Sequence, residues 1–184
     1  MSPKGPTPYA RVHVRRVRGA DWQQLRTLRL EALADAPSAF LELHSDAARR
    51  DEGSWRRRAE GSSSGEDSAM FIAAEASGEW IGMLSIYRDA GEAQVVSVYV
   101  APRGRGQGVL DDLLDRAQGW ALSVGLHRLR LSVHEDNIRA RGAYERLGFA
   151  PTGRSFPYLL DETRLERELA KQLPVPSTGT SPAG

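Results

Sequence analysis

Three glycines within five residues, Gly104, Gly106 and Gly108, narrow what this chain can fold into more than any other feature. They follow the apolar run Val98-Tyr99-Val100 and a proline stop at Pro102, and they precede Leu110, Leu113, Leu114, Ala117 and Ala121, which recur at helical spacing. The segment therefore reads as a buried strand, a tight turn and an amphipathic helix. Glycines in such a turn reach backbone conformations that a Cβ forbids, and they leave the amide N–H groups uncovered. Uncovered amides at the first turn of a helix, with the helix dipole behind them, form a site for an anion, usually phosphate. Two familiar phosphate loops fail on spacing. No Lys-Ser or Lys-Thr pair closes the turn as a nucleotide P-loop requires, and Val109 stands where the last glycine of a dinucleotide loop belongs.

A second block, Asn137-Ile138-Arg139-Ala140-Arg141-Gly142-Ala143-Tyr144-Glu145-Arg146-Leu147-Gly148-Phe149, has the form of a short capped helix. Asn137 suits the N-cap, Gly148 the position after the last turn, and Phe149 a core anchor. Read alone, Tyr144 is an ordinary half-buried aromatic. Asn137 and Tyr144 are about two turns apart, however, so they share a helix face and can line one cleft.

In that order and at that separation the two blocks resemble the coenzyme A loop and the following helix of the GNAT superfamily of N-acetyltransferases, in a bacterial member of unassigned acceptor. The family patterns are V-x-P-x-x-[RQ]-x-x-G-x-[GA] and N-x-x-A-x-x-x-Y-x-x-x-G-F. Laid on without a gap, the first puts its basic position at Arg105, its loop at Gly106-Gln107-Gly108-Val109, and Leu110 where the family has Gly or Ala. A second register starts at Arg103 and loses two residues after Pro102. The gapless one is preferred because it begins the apolar stripe on the right face. The resemblance runs from about Val12 to Leu173. It implies a mixed α/β fold, a twisted sheet of about seven strands with helices on both faces, and a cleft where the fourth and fifth strands splay apart.

The remaining pattern is consistent with that fold. Val12 and Val14 alternate with polar neighbours as a first strand, and Asp21, with Gln24 three residues on, is placed to cap a helix carrying Trp22, Leu25, Leu28 and Ala32 on one side. A shorter helix is expected around Asp51 to Ala59. Strands are expected over Met70 to Glu75, Trp80 to Arg88, Ala93 to Val100 and His127 to His134, with a helix from Gly108 to Val124 between the last two, which makes that pair parallel. Leu165, Leu169 and Leu173 recur every four residues and on their own argue helix, whereas the family's matching segment is the last antiparallel strand; the resemblance decides for strand. Residues 1–9 and 174–184 are rich in Pro, Ser, Thr and Gly and are expected as mobile tails around a single domain over 10–173.

Composition limits the function classes. Charged residues are 27% of the chain but nearly balanced at a formal +1, so no nucleic-acid footprint is implied. The absence of cysteine excludes disulfides, thiolate metal sites and a cysteine acyl-enzyme. No metal is expected, and no stretch has the length or apolarity of a membrane span or export signal. A cytoplasmic monomer or homodimer is expected.

What the resemblance implies chemically is an acyltransferase that moves acetyl from acetyl-CoA directly to a primary amine of a small molecule or a protein. Val98, Tyr99 and Val100 are implied to meet the thioester and pantetheine arm. Arg105, Gly106, Gln107, Gly108, Val109 and Leu110 are implied to hold the diphosphate, Asn137 the pantetheine amide or a bridging water. Tyr144, a proton donor at neutral pH, is implied to protonate the leaving thiolate. Glutamates that serve as base in some members fall at Gln94 and Ser132 here. His134, on the side of Ser132 by strand parity, is the titratable substitute; Glu92, Glu135 and a water chain are alternatives. Leu110 and the missing glutamates keep a second class open, a non-catalytic acyl-CoA sensor. A third reading is acetylation of ribosomal-protein N-termini.

Overall fold

The computed structural model describes residues 12–174. The tail assigned to 1–9, and that assigned to 174–184 apart from Pro174, lie outside the described residues.

Seven strands form one sheet in the order β1-β2-β3-β4-β5-β7-β6, and every neighbouring pair is antiparallel except β4–β5. The strands are β1 His13–Arg16, β2 Ser68–Ala74, β3 Trp80–Asp89, β4 Glu92–Val100, β5 Arg128–His134, β6 Ala150–Tyr158 and β7 Asp161–Gln172. Almost every side chain from Ala69 to Ala74 and from Trp80 to Leu84 is buried, which happens only when both faces of a sheet are covered. One cover is α4, Val109–Ser123, packed across β2, β3 and β4; α1, Trp22–Asp35, and α3, Glu52–Ser63, pack on β3 and β2. α4 approaches β3 closely because Gly82 lacks a side chain: a Cβ there would stand 2.9 Å from Val109 Cγ1 and 3.0 Å from Leu113 Cδ1.

Two local expectations change and a third holds. Asp21 does not cap α1 through its side chain; its carboxylate instead accepts from the Arg15 guanidinium, at 2.6 Å, and from the Arg18 amide, at 2.7 Å. The connection after α1 contains a further helix, α2 His44–Arg49, in which only Ala47 is buried. Residues 163–172 are strand, as the resemblance and not the four-residue period implied, because residues 166–172 pair along β5 from Arg128↔Gln172 to His134↔Glu166 and Leu165 pairs with Pro157 of β6.

Candidate active site

β4 and β5 are paired at Ala93↔Leu129 and Gln94↔Arg130 and then part. From Val95 onward the β5-facing edge of β4 has no strand partner, so its main-chain polar groups are open to a cleft. A bulge turns the strand at the same place: Leu84 of β3 alone spans Ser97 and Val98, and Ser97 takes a φ of +54°, rare for a residue with a side chain. Val98, Tyr99 and Val100 line the cleft just past that bulge, while the Tyr99 side chain is itself buried and its hydroxyl turns toward Glu31, at 3.3 Å.

The cleft, about 830 Å³, runs from this opening to the head of α4. Gly106 and Gly108 sit at φ +77° and +79° with nothing within 4 Å of a notional Cβ. Among the described residues, none of the six consecutive amides from Gly106 to Asp111 makes a hydrogen bond of good geometry within the protein; the first intrahelical bond is Asp112 N–H to the Gly108 carbonyl, at 3.0 Å. The charged side chains around the cleft are Arg105, Arg139 and Arg146 against Asp35, Asp111 and Asp136, three of each sign. Attraction for an anion therefore rests on the amide row and the helix dipole rather than on net side-chain charge.

Arg105 and Arg103, the two basic residues that competed for the loop register, separate cleanly. Arg105 lines the cleft, with its Nε donating to the Val100 carbonyl at 3.0 Å and its guanidinium paired with Asp35. Arg103 is held away from it by Glu31, Glu79 and the Trp80 carbonyl. Gln107 does not line the cleft; its amide donates to the Arg103 carbonyl at 2.7 Å. Leu110 does, from the first turn of α4, half-buried against the core.

α5, Ile138–Arg146, forms the opposite wall. Asn137 caps it by accepting from the Ala140 amide at 3.1 Å, and the residue lines the cleft from that position. Tyr144 is 7% exposed, stacks edge-on with Phe149 at 5.7 Å, and its hydroxyl makes no hydrogen bond among the described residues although it borders the cavity. Burial pushes that hydroxyl well above the ordinary tyrosine range, which keeps it protonated.

A smaller cavity of about 80 Å³ adjoins the cleft and shares Ala39, Val98, Asn137, Ala140 and Tyr144 with it. Its other walls include Ser97 of β4, Ser132 and His134 of β5, and Glu166 of β7. His134 is buried, with Nδ1 accepting from the Asp136 amide at 3.3 Å and its ring edge-on to Tyr158 at 4.9 Å. Gln94 reaches neither cavity. Glu92 is bound by Arg128 and Arg130, and Glu135 by the Leu165 amide and Arg164. Sequence reasoning missed Glu166, Arg139 and Arg146. The first could have been found only from the β5–β7 register, which sets it directly opposite His134.

Beside His134, the Tyr158 hydroxyl at the tip of the β6–β7 hairpin donates to the Phe40 carbonyl, at 2.9 Å, tying the hairpin to the connection after α1. Behind Ser97, the buried Arg29 reaches its hydroxyl at 3.3 Å and pairs with Glu42 at 2.9 Å.

An open sheet with one parallel pair splayed over a row of free amides defines an acyl-CoA-type acyltransferase fold. The model of the acetyltransferase (GNAT) family matches residues 25–149, more than half of the chain, and the protein belongs to that family. Solved structures agree. A nourseothricin acetyltransferase is 27% identical at a TM-score of 0.56, over 59% of this chain and 66% of that one, so the match spans just under two thirds of that neighbour. A GNAT-family acetyltransferase from Streptococcus pneumoniae superposes with a TM-score of 0.74 at 19% identity, over 89% and 100%. The ribosomal-protein-S18-alanine N-acetyltransferase from Escherichia coli does so with 0.65 at 18%, over 93% and 99%.

Proposed function

We propose that the protein transfers acetyl from acetyl-CoA to a primary amine in one step, without an acyl-enzyme. The observation that carries this reading is the row of six acceptor-free amides, Gly106 to Asp111, at one end of a cleft whose other end is the unpaired edge of β4. A coenzyme diphosphate meets the amides and the dipole of α4, with Arg105 adding charge at the side. The pantetheine arm then runs along the open edge of β4 as an added strand does, and Asn137 retains an amide N–H₂ to offer it, its oxygen being used in the cap.

At Val98 the arm reaches the bulge, where a main-chain N–H among Val98, Tyr99 and Val100 stabilises the thioester oxygen as it gains charge. The amine enters from the small cavity and attacks the carbonyl carbon. As the C–S bond breaks, the Tyr144 hydroxyl protonates the departing sulfur; a phenol of raised pKa is a donor throughout the neutral range. The amine belongs to a small molecule or to an exposed protein site, and the size of the small cavity favours a slender, unbranched amine over a bulky one.

Calorimetry with acetyl-CoA, followed by a thiol-release screen against primary amines, tests the proposal. Saturable binding with turnover of at least one amine is expected. Binding without turnover on any amine would favour a sensor, and no binding would mean that Leu110 closes the diphosphate site.

A further inference from the structure

We propose that Glu166 of β7 takes the proton from the acceptor amine, a role that rests on the acyl-transfer reading of the cleft. Glu166 lines the small cavity together with Val98 and Tyr144, the residues next to which the reacting carbonyl and sulfur lie in that reading. Every other carboxylate near the two cavities is engaged. Glu168 holds Thr152 and Arg130, Glu92 holds Arg128 and Arg130, Glu135 holds Arg164, Asp35 holds Arg105, Asp111 pairs with Arg146, and Asp136 holds Arg164. Glu166 alone of these is half-buried with no hydrogen bond and no ion pair among the described residues. A carboxylate withdrawn from water and left without a partner has oxygen lone pairs to give to something that enters the cavity.

His134 fits the task less well. Its Nδ1 already accepts from the Asp136 amide, so the neutral ring carries its proton on Nε2 and has no further lone pair to offer an amine proton. The groups that face Glu166 are His134 directly across on β5, Phe156 across on β6, Tyr158 at the hairpin, Tyr144 from α5, and Ser97 of β4 with the Arg29 cation behind it. Burial raises the Glu166 carboxyl above the ordinary range, and a charged His134 opposes that shift. A carboxylate so raised is a stronger base than a solvated one.

The step balances. The acceptor's ammonium gives one proton to a Glu166 oxygen, the freed nitrogen forms the C–N bond at the thioester carbon, the C–S pair leaves with sulfur, which takes the Tyr144 proton, and the second nitrogen proton departs to solvent. Solvent then returns a proton to Tyr144 and removes one from Glu166.

The test uses Glu166→Gln and Glu166→Asp on the full chain, with acetyl-CoA binding read by calorimetry. Thiol release is followed against spermidine, ethanolamine and a tetrapeptide with a free N-terminus, and against hydroxylamine, which is already unprotonated at neutral pH. Glu166→Gln is expected to keep acetyl-CoA affinity and to lower kcat/KM for the best of the three amines by about a hundredfold. It is expected to remove the acid limb of the pH profile and to change the hydroxylamine rate less than about threefold. Glu166→Asp is expected to retain the limb at reduced rate. The melting temperature of Glu166→Gln should equal or exceed that of wild type above neutral pH, because the variant loses a carboxylate whose burial is unfavourable when ionised. An unchanged acid limb, or an equal loss with hydroxylamine and amine, overturns the role of Glu166. Failure of the wild type to bind acetyl-CoA or to acetylate any amine overturns instead the reading on which it rests.

Discussion

Replacing Tyr144 with Phe isolates the proton donor from the fold. The ring is buried against Phe149 and its packing survives the change, while the hydroxyl has no hydrogen-bond partner among the described residues whose loss would strand a polar group. Stability should therefore move by less than about 1 kcal/mol. Chemistry should not be spared: loss of a positioned acid lowers kcat by about a hundredfold, or about 2.7 kcal/mol of transition-state stabilisation. Single-turnover thiol release, with the acetyl-CoA dissociation constant measured in parallel, reads both quantities. The pH dependence carries a sign as well. Because burial raises the Tyr144 pKa, the hydroxyl remains a donor beyond the ordinary tyrosine value of about 10, so no alkaline loss of wild-type rate below that pH arises from it. By the same linkage, the stability this group contributes is intact below about pH 10 and is lost as pH rises toward the folded-state value. A Tyr144→Phe protein with an unchanged single-turnover rate would refute the assignment, and one that no longer folds would refute the packing argument.

Three further outcomes follow from the packing and charge around the site. Gly82→Ala drives a methyl into Val109 and Leu113 at the start of α4, and should lower stability by about 1–3 kcal/mol and weaken acetyl-CoA binding together, read by thermal melts and calorimetry. Tyr158→Phe removes the tie to the Phe40 carbonyl at a cost of about 1 kcal/mol, and should raise KM for the amine more than it lowers kcat. Burial raises the Glu42 carboxyl, but its hydrogen bonds with Arg29 and the charges of Arg29, Arg50 and Arg58 outweigh this and hold it low. Its stabilising effect is therefore complete above the ordinary glutamate value of about 4.3 and lost as pH falls below it. Glu42→Gln, which leaves three arginines uncompensated, should cost about 3 kcal/mol at pH 7, and its deficit relative to wild type should shrink by pH 3.

Local chemistry made the centre of this molecule legible from residues alone. Pro102, Gly106 and Gly108 demand a turn, the leucines after them a helix, and Asn137 and Gly148 a start and a stop, and these elements enclose the cleft. What lay hidden was set by distant pairing. Asp21 looked like a cap because nothing in the local pattern shows that Arg15, six residues earlier, takes its carboxylate. α2 has one buried residue and so too little apolar periodicity to register. The leucines of β7 fit a helix and a strand equally until β5 is laid alongside. Glu166 was invisible for the same reason: nothing near it in sequence marks it, and only its register opposite His134 turns it toward the cavity. The apolar stripe of α4 already favoured Arg105 over Arg103, and Glu31 and Glu79 show what holds Arg103 away.

The central claim is that the bare amides of the loop, not a cluster of basic side chains, grip the coenzyme. A crystal structure of the acetyl-CoA complex measures this directly. Diphosphate oxygens about 2.7–3.2 Å from several of the amides between Gly106 and Asp111, with the thioester sulfur beside Tyr144, are the predicted result. A diphosphate bound by Arg139 and Arg146 with the amide row unoccupied, or a cleft left empty at saturating ligand, would contradict it.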